Sequence, residues 1–131
     1  MISEYDRDAL IEYRLQQSFD TIELANFLVS SDKLVIAVNR IYYGMYYALT
    51  ALALKNKFET SKHLQLIGWF NKEYISSQRL DQKFGKILRN AFQNRTKGDY
   101  DAFVKFDRTE VEIMLKEMAE FIEEINSTLR S

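Results

Sequence analysis

KLVIAVNRIYYGMYYALTALALKNK, residues 33–57, is apolar on more than one face of a helix. Leu34, Val38, Ile41, Met45, Leu49 and Leu52 recur at steps of three and four and form one stripe. Tyr42, Tyr43, Tyr46 and Tyr47 fill its sides, and Gly44, Ala48 and Ala51 offer a third face on which another helix can come close. A helix that is apolar all round has to be covered all round. The segment is therefore expected at the centre of a helical bundle, or partly buried against a second copy of the chain.

Working outward, helical spacing continues in both directions, with no proline and only four glycines to interrupt it. A first helix is expected from Ser3, its N-cap, to about Ser30, with Ile11, Leu15, Phe19, Ile22 and Val29 inward. Ser30-Ser31-Asp32 reads as a turn in which Asp32 caps the central helix. Thr60 or Ser61 caps a third helix carrying Leu64, Ile67, Trp69 and Phe70. A fourth, about Leu80 to Thr96, uses Leu80, Phe84, Ile87, Leu88 and Ala91, and Gly98 stands where a left-handed stop residue is expected. After a loop containing Asp99, Tyr100 and Asp101, Asp107 with Glu110 makes a capping-box start to the last helix. That helix is amphipathic, with Val111, Met114, Leu115, Met118, Phe121, Ile122, Ile125 and Leu129 on one side. The reading is a single all-α domain over residues 1–131, a bundle of about five helices.

Composition excludes several classes. Apolar residues at 47% and aromatics at 14% argue against disorder. The absence of cysteine removes disulfides and thiolate metal sites. The polar, acidic N-terminus has no signal-peptide core, and the run from Ile41 to Leu54 is shorter than the roughly 20 residues a bilayer requires. A cytoplasmic protein is expected, with no membrane partner.

Charge is separated along the chain. Arg79, Lys83, Lys86, Arg89, Arg95 and Lys97 stand against Asp81 alone, whereas Glu110 to Glu124 holds six glutamates against Lys116. The basic stretch could contact phosphates; alternatively, it faces the acidic helix or simply solvent. The one histidine, His63, could act as a general acid or base, or serve a structural hydrogen bond. Carboxylate-bridged metal chemistry in a bundle needs paired Glu-x-x-His helices, and Thr60 stands three residues before His63, so no metal site and no cofactor are expected.

Three segments in order resemble one family. Val38 to Ala48, containing Arg40-Ile41-Tyr42-Tyr43-Gly44-Met45-Tyr46-Tyr47-Ala48, resembles the Arg-x-Tyr-Tyr-x-x-Tyr/Phe-x-Ala run of small prokaryotic HEPN proteins. Ser61-Lys62-His63 through Phe70 is similar to their Lys-Thr/Ser-His segment, and Arg95-Thr96-Lys97-Gly98-Asp99-Tyr100-Asp101 to the end of their fourth helix. The resemblance implies an up-and-down bundle that dimerises, with polar residues at a cleft between subunits. It also implies either a metal-independent endoribonuclease or the HEPN half of a toxin–antitoxin pair with a minimal nucleotidyltransferase. The family's catalytic motif is an arginine and a histidine separated by four to six residues. Counted from Arg95, those positions hold Tyr100, Asp101 and Ala102, and from Arg89 they hold Asn94, Arg95 and Thr96. The expectation is a homodimeric module that binds nucleotide, RNA or its protein partner through Arg40, Arg89, Arg95, Asp99 and Tyr100. The alternative is a ribonuclease in which His63 works with Arg95 or Arg40. Tyr100, at the position beside the motif, is a candidate acceptor of AMP from the partner, or else packs on Phe103 and Phe106.

Overall fold

The computed structural model describes residues 2–131 and contains α1 (Glu4–Ser30), α2 (Leu34–Lys55), α3 (His63–Phe70), α4 (Gln82–Tyr100) and α5 (Arg108–Arg130). The expected all-α bundle of five helices is present. Its up-and-down course follows from the pairs that join its ends. Lys57 reaches back to Glu4, Asn39 meets Asp99, Arg108 meets Asp32 and Arg130 meets Glu12. Each long helix thus runs against the one before it.

Burial of α2 explains its composition. Val38, Ile41, Tyr42, Met45, Ala48, Leu49, Ala51 and Leu52 are at most 1% exposed, covered by α1, α4 and α5 within the same chain. Its apolar length therefore needs no second copy to cover it. Gly44 has the role its spacing suggested: an added Cβ would collide with Met118 Cε of α5 and lie 3.3 Å from Thr21 Cγ2 of α1. The opposing face of α1 differs from the expected stripe. Phe19 and Ile22 are only partly buried, while Ser18, Thr21 and Ala25 lie in the seam. Small side chains let the helices approach, and the two hydroxyls are satisfied on their own helix, Ser18 donating to the Leu15 carbonyl and Thr21 to that of Gln17.

The helix ends correct several expectations. Ser3 does cap α1, its hydroxyl accepting from the Asp6 N–H at 3.1 Å. Asp32, however, does not cap α2. It takes a left-handed φ of 60° and closes α1, its N–H reaching the Val29 carbonyl (3.0 Å) while Lys33 N–H reaches that of Leu28 (2.8 Å). Lys57, at φ 58°, closes α2 in the same way, with Phe58 N–H on the Ala53 carbonyl. Neither Thr60 nor Ser61 caps α3; the preceding residue is Lys62, and the Thr60 hydroxyl accepts the Lys62 N–H instead. Asp81 caps α4 by accepting from Lys83 N–H (2.9 Å). Asp107 precedes α5 without a side-chain bond to it, so the capping box is not formed.

Gly98 is not a stop. It is helical with no positive φ, and α4 continues to Tyr100; an added Cβ would meet Val35 and Phe106 only at ordinary contact distances of 3.5 and 3.6 Å. The sequence also gave no sign of the π-helical turn Asn71–Ser76 that follows α3 directly. Its Tyr74 is buried on Trp69 and Phe70, and the Tyr74 hydroxyl accepts from Asn56 at 3.0 Å. Among the described residues no helix is long and apolar enough to cross a membrane.

Candidate functional site

The twin constraints on α2, burial on one side and tyrosines on the flank, leave Tyr42, Tyr43 and Tyr46 turned toward α3 and α4. His63, the first residue of α3, stacks on Tyr46 with ring centres 4.3 Å apart and planes 12° apart. Its Nδ1 lies 2.6 Å from the Tyr42 hydroxyl. From α4, the Arg95 guanidinium lies over three rings: Tyr42 at 5.0 Å, Phe92 at 5.3 Å and Tyr43 at 5.5 Å. The histidine and the arginine, 32 residues apart in the chain, thus share Tyr42 as a common neighbour.

Electrostatics fix the states of these groups. Burial, followed by the Arg95 charge, lowers the His63 pKa, so the imidazole is neutral at neutral pH. Burial raises that of Tyr42 well above the ordinary phenol value, so its hydroxyl keeps its proton. A neutral phenol beside a neutral imidazole is the better donor. The Tyr42 O–H is therefore assigned as donating to Nδ1, which leaves the His63 proton on Nε2. For Arg95 burial works against the charge, but the hydrogen bond to Asp99 and the neighbouring tyrosines hold its pKa above the usual value.

A polar chain continues outward from Arg95. Its Nη1 donates to Asp99 Oδ2 at 3.2 Å, and Asn39 Nδ2 donates to Asp99 Oδ1 at 3.1 Å. Arg40 donates twice to Asn39 Oδ1, from Nε at 3.0 Å and Nη2 at 2.8 Å, and its guanidinium lies 4.9 Å over Tyr43. Arg40, His63, Arg95 and Asp99 therefore come together on one surface. Arg89 does not join them, because six residues along a helix turn its side chain to another face. It lines a separate depression with Lys86, Asn71 and Ile75. Tyr100, in the last turn of α4, is 80% exposed, which overturns the packed alternative on Phe103, itself 91% exposed.

Part of the charge separation has a bland cause: Lys83 of α4 pairs with Glu120 of α5 at 2.5 Å. A groove of about 190 Å³ between α2, α4 and α5, floored by Ile41, Met45 and Ile87, lies apart from the cluster. Among the described residues no three His, Asp or Glu side chains are placed to hold a metal ion. Sequence reasoning missed Tyr42, Asn39 and Phe92 as parts of the site. The four-residue steps Tyr42–Tyr46 and Arg95–Asp99 were the signals that could have found it. Chemically, the cluster offers two guanidinium groups for an anion, a neutral imidazole with its Nε2 outward, and aromatic faces.

Comparison with known proteins adds three findings. A family model for the HEPN domain matches residues 11–128. A UPF0332 protein of Thermotoga maritima is 28% identical over 124 residues, covering 95% of this chain and 94% of its own. A candidate toxin of Methanocaldococcus jannaschii is 30% identical over 105 residues, covering 80% of this chain and 71% of its own.

Proposed function

Because the chain belongs to the HEPN domain family, we propose that it is the HEPN half of a toxin–antitoxin-like pair and binds the phosphate of a nucleotide or RNA at the Arg95–His63 cluster. The observation that carries this reading is the convergence of Arg95, Arg40 and His63 from three helices around Tyr42 and Tyr43. Guanidinium groups with their faces on aromatic rings present their N–H edges outward, the geometry that matches phosphate oxygens. The relative bearing a toxin's name supports the toxin-like half of the reading. The partner is a nucleotidyltransferase-fold protein, and the protein acts as a homodimer. The dimer no longer follows from the apolar length of α2, which the chain covers itself; it rests on the family and on the half-exposed tyrosine flank.

The test is binding of a labelled, single-stranded oligouridylate by anisotropy, in wild type and in Arg95→Gln. A hydrogen bond to a charged group is worth about 1.5–3 kcal/mol, so affinity should fall roughly tenfold or more. Unchanged affinity would overturn the site.

A second reading, a metal-independent ribonuclease, is favoured by the neutral, oriented His63. In it, Nε2 of the imidazole tautomer with its proton moved to Nδ1 accepts the proton of a 2′-hydroxyl. The 2′-oxygen attacks phosphorus, and the 5′-oxygen leaves with a proton from solvent, giving a 2′,3′-cyclic phosphate. Arg95 holds the phosphate charge. Incubation with unstructured RNA without metal, beside His63→Ala and Arg95→Ala, tests it. Cleavage lost in both variants supports the reading, and cleavage surviving in His63→Ala removes it.

A further inference from the structure

Two donors from different helices converge on one carboxylate: Arg95 Nη1 of α4 and Asn39 Nδ2 of α2 each bind a separate oxygen of Asp99. We infer that Asn39 and Arg95 form an anion site for a phosphate group and that Asp99 is its internal occupant, a competitor that a phosphate ligand must displace. The inference rests on the phosphate-binding reading above and adds the role of this residue within it.

Asp99 is not needed to hold Arg95 in place. The guanidinium is already fixed by Tyr42, Tyr43 and Phe92, its side chain is 12% exposed, and its Nε is buried without a hydrogen-bond partner against those rings. What remains for a ligand is the outward edge, and there the Asp99 carboxylate stands. Asn39 is likewise set independently, because its carbonyl oxygen takes two N–H groups of Arg40, which aims its amide nitrogen outward. Two fixed donors facing one anion describe a receptor and its guest.

The guest is also poorly anchored. Asp99 lies in the last turn of α4, where the unpaired carbonyls make the helix end negative and a carboxylate least welcome. Its side chain is 30% exposed, and the exposed Tyr100 and the connection 101–107 follow. Rotation of the side chain, or fraying of that one turn, frees both donors without disturbing the rings beneath. Removing the carboxylate charge should therefore improve phosphate binding, whereas a residue that merely orients Arg95 would weaken it when changed.

The experiment measures binding of a labelled oligouridylate, with inorganic phosphate as competitor, to wild type, Asp99→Asn, Asp101→Asn and Arg95→Gln. Asp101 controls for general charge: it is two residues away and exposed, and its carboxylate accepts only from Phe103 N–H in its own loop. The expected result is at least threefold tighter binding of both oligonucleotide and phosphate in Asp99→Asn, little change in Asp101→Asn and loss in Arg95→Gln. Equal or weaker binding in Asp99→Asn, with loss in Arg95→Gln, overturns the competitor while leaving the phosphate site standing. An equal gain in Asp101→Asn overturns it as a general charge effect. Unchanged binding in Arg95→Gln refutes the phosphate site itself, and the competitor with it.

Discussion

Replacing Tyr42 by Phe removes one oxygen and leaves a ring in the same place. The ring is fully buried, and its contacts with Tyr43, Tyr46 and Phe92 do not involve the hydroxyl. What is lost is the 2.6 Å hydrogen bond to His63. A neutral hydrogen bond contributes about 1 kcal/mol net, and no buried donor is orphaned, because the half-exposed imidazole can turn to water. For a domain of this length that is a fall of roughly 3–6 °C in Tm. The imidazole gives a sharper readout, since the chain has one histidine and its NMR titration is unambiguous. In wild type it should titrate below the ordinary value of 6.5, chiefly because of burial and then because of the Arg95 charge. In Tyr42→Phe, with the donor that favours the neutral ring gone, it should titrate higher. The sign for stability follows. A histidine with a lowered folded pKa leaves the folded state holding fewer protons than the unfolded one, so stability rises with pH through this window. Its contribution is present above about 6.5 and is lost as pH falls toward and through the folded pKa. An imidazole titrating at or above 6.5 in wild type, or identically in both proteins, would refute the Tyr42–His63 arrangement.

Other outcomes follow from the helix seams and ends. Gly44→Val should cost about 2 kcal/mol or more by urea denaturation, because its side chain has to displace buried Met118 and press on Thr21; an unchanged midpoint would contradict the close packing. Lys57→Gly should stabilise by about 0.5–1 kcal/mol, since only glycine takes φ 58° without strain, and the exposed 3.5 Å contact with Glu4 is worth little. A loss of stability there would mean that the contact matters more than the backbone. Intact mass after incubation with a partner nucleotidyltransferase and ATP should show added AMP that disappears in Tyr100→Phe, as the 80% exposure of Tyr100 allows; no added mass rejects that role.

The helices were legible because apolar spacing is a local property that α2 and α5 display along their whole length. What spacing could not reveal was which α1 face meets α2. Phe19 and Ile22 are the more apolar candidates, yet the seam uses Ser18, Thr21 and Ala25, because close approach to Gly44 rewards small volume over hydrophobicity. Helix ends were misread for a related reason. Gly98 and Asp32 were assigned by residue preference, whereas the backbone put the left-handed turn at Asp32 and Lys57 and kept Gly98 within the helix. Within the site, His63 was picked out by its chemistry, and Arg40, Arg95 and Asp99 through the resemblance of their segments to one family. Their meeting around Tyr42 depends on the separation between α2, α3 and α4, a distance that no spacing encodes.

The seam between α1 and α2 bears on the order in which the chain folds. It is the most extensive helix–helix contact in the molecule, and only Ser31, Asp32 and Lys33 separate its two halves. Its loop closes at little entropic cost, and contacts local in sequence form early. The α5 helix, in contrast, must wait for the intervening chain before Arg130 can meet Glu12. Substitutions at Ala25 should therefore slow folding, and substitutions at Leu129 should mainly hasten unfolding, a division that stopped-flow kinetics would resolve. On that route α1 and α2 already exist as a hairpin when His63 and Arg95 arrive, and the binding surface is assembled on a preformed wall of tyrosines.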